Sequence, residues 1–171
     1  MHRCGRRIRY KVRIRNYTDR RVGFVEVKKR INQFDKQKFR LPKKYEVKSL
    51  NRNDYTFINK ITGLHTSLVK TAETNYKRIT FFNKYINERV TIDILLNLNA
   101  SNKTYELFNQ AIVEVKQFPY NRNTKIMETV KTTGYRPCRI SKYCTAIILG
   151  NPNIRCNRLL PRVREVKGMF K

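Results

Sequence analysis

Two copies of the tetrapeptide VEVK, Val25–Lys28 and Val113–Lys116, combine residue types and spacing that could do chemistry. Successive side chains of an extended chain point to opposite faces, so each copy turns a Glu–Lys pair one way and two valines the other. The R-x-R of Arg13 and Arg15 adds cations at the same two-residue spacing, as do Lys38 and Arg40. Rows of guanidinium and ammonium groups bind phosphate oxygens, arginine in bidentate fashion. A carboxylate among them does what no base can, which is to hold a divalent metal against phosphate. Two guanidiniums about 6 Å apart repel by roughly 3 kcal/mol at an effective dielectric near 20. A ring of such cations is costly when empty and favourable around a string of phosphates.

Strands must position these groups, and the sequence supplies them. In RRIRYKVRIRNY the odd positions Arg7, Arg9, Lys11, Arg13 and Arg15 share one face, opposite Ile8, Tyr10, Val12 and Ile14. That period of two marks a strand with one apolar face. NYTDRR predicts a hairpin turn into VGFVEVKKR, where Glu26 and Lys28 lie opposite Val25 and Val27. KQKFRLP puts Lys38 and Arg40 opposite Phe39 and Leu41, with Pro42 closing the strand. Residues 47 to 73 carry Leu50, Phe57, Ile61, Leu64 and Leu68 at spacings that predict a helix, with a break at Gly63. YKRITFFN from Tyr76 and ERVTIDILLNL from Glu88 are further strands joined by KYIN, and AIVEVKQF is another. Thr124 is placed to cap a short helix through KIMETVKTT that ends at Gly134, and a last helix runs from near RISKYC to GNP. The basic tail RLLPRVREVKGMFK takes no assignment. Strands, a helix, strands and then helices predict an antiparallel α+β fold, read as one domain over residues 1–171.

For any one strand, a solvated surface is the better explanation of a charged row. Taken together the strands say more, because the acids Glu26, Asp93 and Glu114 sit inside basic strands rather than in loops. If the strands close into a barrel, the charged faces converge on a lumen. The formal net charge of +27 predicts a polyanionic partner. Nucleic acid, anionic membrane and polyphosphate all qualify, and charge alone favours the first. No stretch approaches the roughly 20 apolar residues of a membrane span, and no apolar run follows the basic N-terminus as in a signal peptide. The chain is therefore read as soluble and cytoplasmic. Cys4, Cys138, Cys144 and Cys156 form no C-x-x-C pair, and His2 and His65 lie far from the last three. This spacing predicts packed thiols rather than zinc.

The succession KVRIRNY, FVEVKKR, KQKFRLP, YKRITF, ERVTID, IVEVKQ and RISKYC resembles the polyphosphate polymerase domain of the vacuolar transporter chaperone (VTC) type. That domain belongs to the triphosphate tunnel metalloenzyme, or CYTH-like, superfamily. The likeness runs through nearly the whole chain in order, and its most specific pieces are the two E-x-K strands and the late S-K-Y. It implies an antiparallel β-barrel or tunnel with a charged lumen, flanked by helices, which transfers the ATP γ-phosphate to inorganic polyphosphate with Mn²⁺ or Mg²⁺. It further implies strands ahead of the R-x-R strand, so that this chain reads as an N-truncated tunnel. Carried over motif by motif, the phosphate-handling residues are Arg13, Arg15, Lys28, Lys38, Arg78, Arg89 and Lys142. Arg139 and Ser141 are implied to bind substrate and Glu114 to bind the metal. Glu26 and Asp93 are expected as ion-pair partners of the lumen cations rather than as metal ligands. Relatives act beside membrane proteins, so a membrane-protein partner, with membrane association through it, is a further expectation of the resemblance.

Three other readings compete. Hydrolysis of triphosphate or nucleoside triphosphate would use the same tunnel with water as acceptor. A polyphosphate binder without catalysis would use the cations alone. A nucleic-acid-binding protein, from a different class, would draw on the charge and on aromatics near basic strands, such as Tyr10, Tyr17 and Phe39.

Overall fold

The period-two segments pair as antiparallel sheets. The computed structural model describes residues 8–32, 35–107, 109–135, 137–138, 140–151 and 153–154. The chain divides into two compact units, Met1–Leu68 and Val69–Lys171. In the first, strands β1 (Arg9–Tyr17), β2 (Val22–Arg30) and β3 (Lys36–Lys44) form a three-stranded meander with β2 in the middle. Arg21 takes a left-handed conformation in the β1–β2 turn. Helix α1 (Arg52–Thr62) covers the apolar side of this sheet, where Val25, Val27 and Ile58 are buried together. A capping box starts α1: the Asn51 side chain accepts from the Asp54 backbone N–H, and the Asp54 carboxylate accepts from the Asn51 N–H. The same carboxylate, fully buried, takes the Lys43 ammonium at 2.7 Å and so ties the helix to β3. Gly63 ends the helix with φ of 66°, a left-handed value that glycine adopts without strain.

Two expectations for this unit need correction. The helix predicted from 47 to 73 is confined to Arg52–Thr62, because the cap at Asn51 and the left-handed Gly63 fix its ends. Pro42 does not close β3, which continues to Lys44. As an edge strand β3 loses nothing where proline lacks an N–H.

In the second unit, β4 (Glu73–Asn83) pairs with the long β5 (Glu88–Ala100). On the other edge of β5, residues 88–93 pair with β7 (Ile112–Gln117) and residues 96–100 with β6 (Lys103–Leu107). The short strand β6 escaped the periodicity argument, since KTYEL is brief and mostly polar. Helices α2 (Lys125–Thr132) and α3 (Lys142–Gly150) follow. Thr124 precedes α2 as expected, but its hydroxyl donates to buried Glu88 at 2.7 Å instead of capping the helix.

A bulge in β5 decides what α3 can reach. The β4–β5 register shifts between Asn75 and Lys77, and Leu95 takes φ of 52° with its side chain exposed. The extra residue brings Leu96, Leu98 and Ala100 onto the face that carries Asp93, because Thr74 lies opposite Leu98 and Arg78 opposite Asp93. Ala146 and Leu149 of α3 pack on that leucine patch. At the end of α3, Gly150 comes so close to Ala100 that a Cβ would lie 2.7 Å from the alanine methyl.

The fold class implied by resemblance is met in part. The class is mixed α+β with two antiparallel sheets and helices, as expected. Among the described residues no strand pairing joins the two sheets into a closed barrel.

Leu98 is fully buried, so Leu98→Ala should cost about 2–5 kcal/mol in urea unfolding. Exposed Leu95→Ala should stay within about 0.5 kcal/mol. Equal losses at both positions would contradict the bulged register.

Candidate functional site

The charged side of the β1–β2–β3 sheet is built in cross-strand rows. Arg9, Arg30 and Lys36 lie side by side; Lys11, Lys28 and Lys38 form the next row; Arg13, Glu26 and Arg40 form the third. Like charges directly opposite one another destabilise a sheet. Glu26 offsets that repulsion from the centre. It is wholly buried and accepts from Arg13 Nε at 2.6 Å, Arg40 Nε at 2.8 Å and Lys38 Nζ at 2.9 Å. Burial alone would raise its pKa, but the bonds from Lys38 and Arg13 and their charges outweigh it and hold Glu26 down at about 2. Arg15, two residues along the same face, donates to the Tyr17 hydroxyl at 3.0 Å and lies over that ring.

Lys28 occupies the middle of the all-lysine row. Its side chain is exposed on the sheet face, with partial loss of solvent around the ammonium. That partial desolvation first, and then the charges of Arg13, Lys38 and Lys11, push it down to about 8 against the opposing pull of Glu26. Bringing a polyanion to this row would relieve the repulsion.

The second unit repeats the design with a different acid. Asp93, buried on β5, receives both Arg78 Nε and Nη2, at 2.5 and 2.6 Å, and Lys142 Nζ at 2.6 Å. The Tyr76 ring lies 5.1 Å from the Arg78 guanidinium and 5.0 Å from the Lys142 ammonium. Desolvation works to raise the Asp93 pKa, and the two cations more than reverse it. The bonds to Asp93 raise that of Arg78 further above its usual value despite its own desolvation. Lys142 is the first residue of α3, whose N-cap Ser141 accepts from the Cys144 N–H at 3.4 Å. The leucine patch under α3 thereby sets where the backbone of Lys142 stands.

Glu114 lies opposite Thr91 on the same side of the sheet, half exposed, with Lys116 3.1 Å away. Thr91 Oγ1 is buried and has no hydrogen-bond partner among the described residues. Arg89, one row on, lies opposite Lys116 and Phe82, is exposed, and has no ion pair among the described residues. No cluster of three His, Cys, Asp or Glu side chains exists among the described residues, so an all-protein metal cage is not provided. The donor set fits an Mg²⁺-like ion held by one carboxylate together with phosphate oxygens and water. Glu114 is the accessible carboxylate on this face, since both oxygens of Asp93 are engaged.

The structure thus brings Arg13, Lys28 and Lys38 onto one face with Arg15 beside them, and Arg78, Lys142, Glu114 and Arg89 onto another. Glu26 and Asp93 are ion-pair partners of these cations, as the sequence suggested. Arg139 lies outside the described residues. The motif-by-motif carry-over left out Arg40 and Lys11, although the alternation places both on the basic face. The valines of the first VEVK are buried beneath α1, whereas Val113 of the second is about half exposed.

Removing the charge of Glu26 leaves three cations facing one another. Glu26→Gln should lower stability by about 1–3 kcal/mol, discounted from a fully buried pair because the cations are partly exposed. Added polyphosphate should restore more of the melting temperature in the variant than in the parent chain. In the parent, a carboxylate whose folded pKa lies below its unfolded value stabilises above about pH 4.5 and loses that contribution as pH falls toward 2. Identical acid unfolding curves for parent and variant would contradict this role.

The chain has no match among curated proteins and none among solved structures. A family comparison does match: the VTC domain aligns with residues 2–149, well over half the length. The ordered basic strands, their buried acidic partners and the helix-borne S-K pair all fall within those residues, and the protein belongs to the VTC domain family.

Proposed function

We propose that this chain is a polyphosphate-forming phosphotransferase, taking the γ-phosphate of ATP and adding it to an inorganic polyphosphate chain. Membership of the VTC domain family supports a polyphosphate-related function. The observation that carries the catalytic reading is the pair of buried acids, Glu26 and Asp93, each fixing cations in place while the cations keep donors for another anion.

Phosphoryl transfer spreads charge over the equatorial oxygens of a loose transition state, so catalysis is mainly positioning and neutralisation. Arg13, Lys38 and Arg40 are held by Glu26 and cannot turn away from an incoming phosphate without losing a buried partner. Lys28, crowded by cations, gains most from an anion. Arg78 and Lys142 are oriented by Asp93, and Arg89 offers a whole guanidinium. Glu114 is the residue that would hold Mn²⁺ or Mg²⁺, and a metal there would neutralise charge on the phosphate oxygens. No covalent intermediate on the protein is needed, because preorganised charge supplies the stabilisation.

Incubation with ATP and Mn²⁺ should yield long acid-labile phosphate chains, resolved by gel electrophoresis. Lys28→Ala and Arg78→Ala should each reduce the yield by at least roughly a hundredfold, the loss expected for removing an electrostatic contact to the transferring group. Phosphate release without chain growth would assign hydrolysis instead, and absence of both would leave a binder.

A lysine with a folded pKa near 8 loses its charge as pH rises through that value. Polyphosphate affinity should therefore weaken between about pH 7 and pH 9, and Lys28→Arg should flatten the profile. Anisotropy of labelled polyphosphate measures both, and an unchanged slope in the variant would contradict the assignment.

A further inference from the structure

One end of the second unit carries a cluster that phosphate handling does not use. The β4–β5 turn and the loop after β7 meet there, with Asn87 Nδ2 donating to the Phe118 carbonyl at 3.2 Å. Phe82, Tyr85, Ile86, Phe118 and Tyr120 are all exposed, Tyr85 to 87% and Phe118 to 80%. Large aromatic rings grouped in this way on a soluble surface mark a contact site.

The charges around the cluster have one sign. Lys84 lies over the Tyr85 ring at 5.2 Å and Arg122 over Tyr120 at 6.0 Å, with Lys125 exposed nearby in sequence. The acid at this end, Glu88, is buried and occupied by Gln117 and Thr124. Amphipathic rings flanked by cations match the boundary of an anionic bilayer, where rings sit at headgroup depth and lysine and arginine meet lipid phosphates. Several polar side chains at this end serve local bonds. Asn83 accepts from the Tyr85 N–H, Asn87 serves Phe118, and Gln117 serves Glu88.

We propose that this tip, comprising Tyr85, Ile86, Phe118 and Tyr120 with Lys84 and Arg122, docks directly on an anionic membrane surface. The rings enter the interface and the two cations contact headgroups. No helix among the described residues is long and apolar enough to cross a membrane.

The chain contains no tryptophan, which makes a single introduced one a clean reporter. Phe118→Trp should shift its emission to the blue on addition of phosphatidylcholine vesicles containing about 30% phosphatidylserine, and not with pure phosphatidylcholine. Val69→Trp, at an exposed position away from the tip in sequence, should not shift. The double variant Tyr85→Ser, Phe118→Ser keeps the net charge and should lower vesicle partitioning at least roughly tenfold, as loss of two buried rings requires. Its melting temperature should remain that of the parent, because both rings are exposed. Vesicle binding unchanged in the double variant, or equal shifts at 118 and 69, would overturn the proposal in favour of general charge attraction. A shift at 118 with RNA or polyphosphate but not with anionic vesicles would assign the tip to a soluble polyanion. Self-association abolished by the double variant without any effect on lipid would assign it to a second copy of the chain.

Discussion

A buried carboxylate at the centre of a cationic sheet face is the interaction on which this structure depends. Without Glu26, the three rows of β1, β2 and β3 would place eight bases side by side, an arrangement in which every cross-strand neighbour repels. With it, Arg13, Lys38 and Arg40 share a partner and the sheet can assemble before any anion arrives. Asp93 does the same for Arg78 and Lys142. The acid in each case lowers the repulsion of the empty state without consuming the donors that face outward. That balance separates a binding surface from a merely basic one.

Such a face is preorganised in the sense that matters for phosphoryl transfer. A guanidinium already bonded through one edge to a buried acid has lost most of its rotamer freedom in folding, so little remains to be lost when phosphate binds. The repulsion is concentrated at Lys28, between two lysines, and under the proposed function a bound anion would relieve it. On that reading folding and binding are coupled through charge, since the groups that weaken the free protein are the ones that would tighten around the anion.

Much of this was legible in the sequence because strand periodicity is strict. The alternation in RRIRYKVRIRNY and VGFVEVKKR placed Arg13, Lys28 and Glu26 on one side, and α1 does bury Val25 and Val27 on the other. Acids set within basic strands pointed to ion pairing, which Glu26 and Asp93 realise. What failed to show were features that depend on single backbone decisions. The bulge at Leu95 leaves the run ILLNL looking like an uninterrupted strand, although it moves three side chains to the opposite face. Pro42 looked like a terminator because edge position is a property of the sheet and not of KQKFRLP. Residues 64 to 72 kept helical spacing, but the left-handed Gly63 had already ended the helix. Strand β6 offers only Tyr105 and Leu107 as its apolar face, too short a run for periodicity to show.

The change of phase at Leu95 also explains how a helix can serve the site without being built from charged residues. Because β5 switches sides midway, its oily half and its acidic half share one surface, and α3 lies on the first with its leading residue over the second. The ammonium of Lys142 is thus moored by hydrocarbon a short distance away, in a layer that neither salt nor substrate can penetrate. Its location is governed by packing, while its partner governs its direction. Under the proposed function such contacts would matter, since a purely electrostatic anchor would loosen whenever an anionic polymer moved past it.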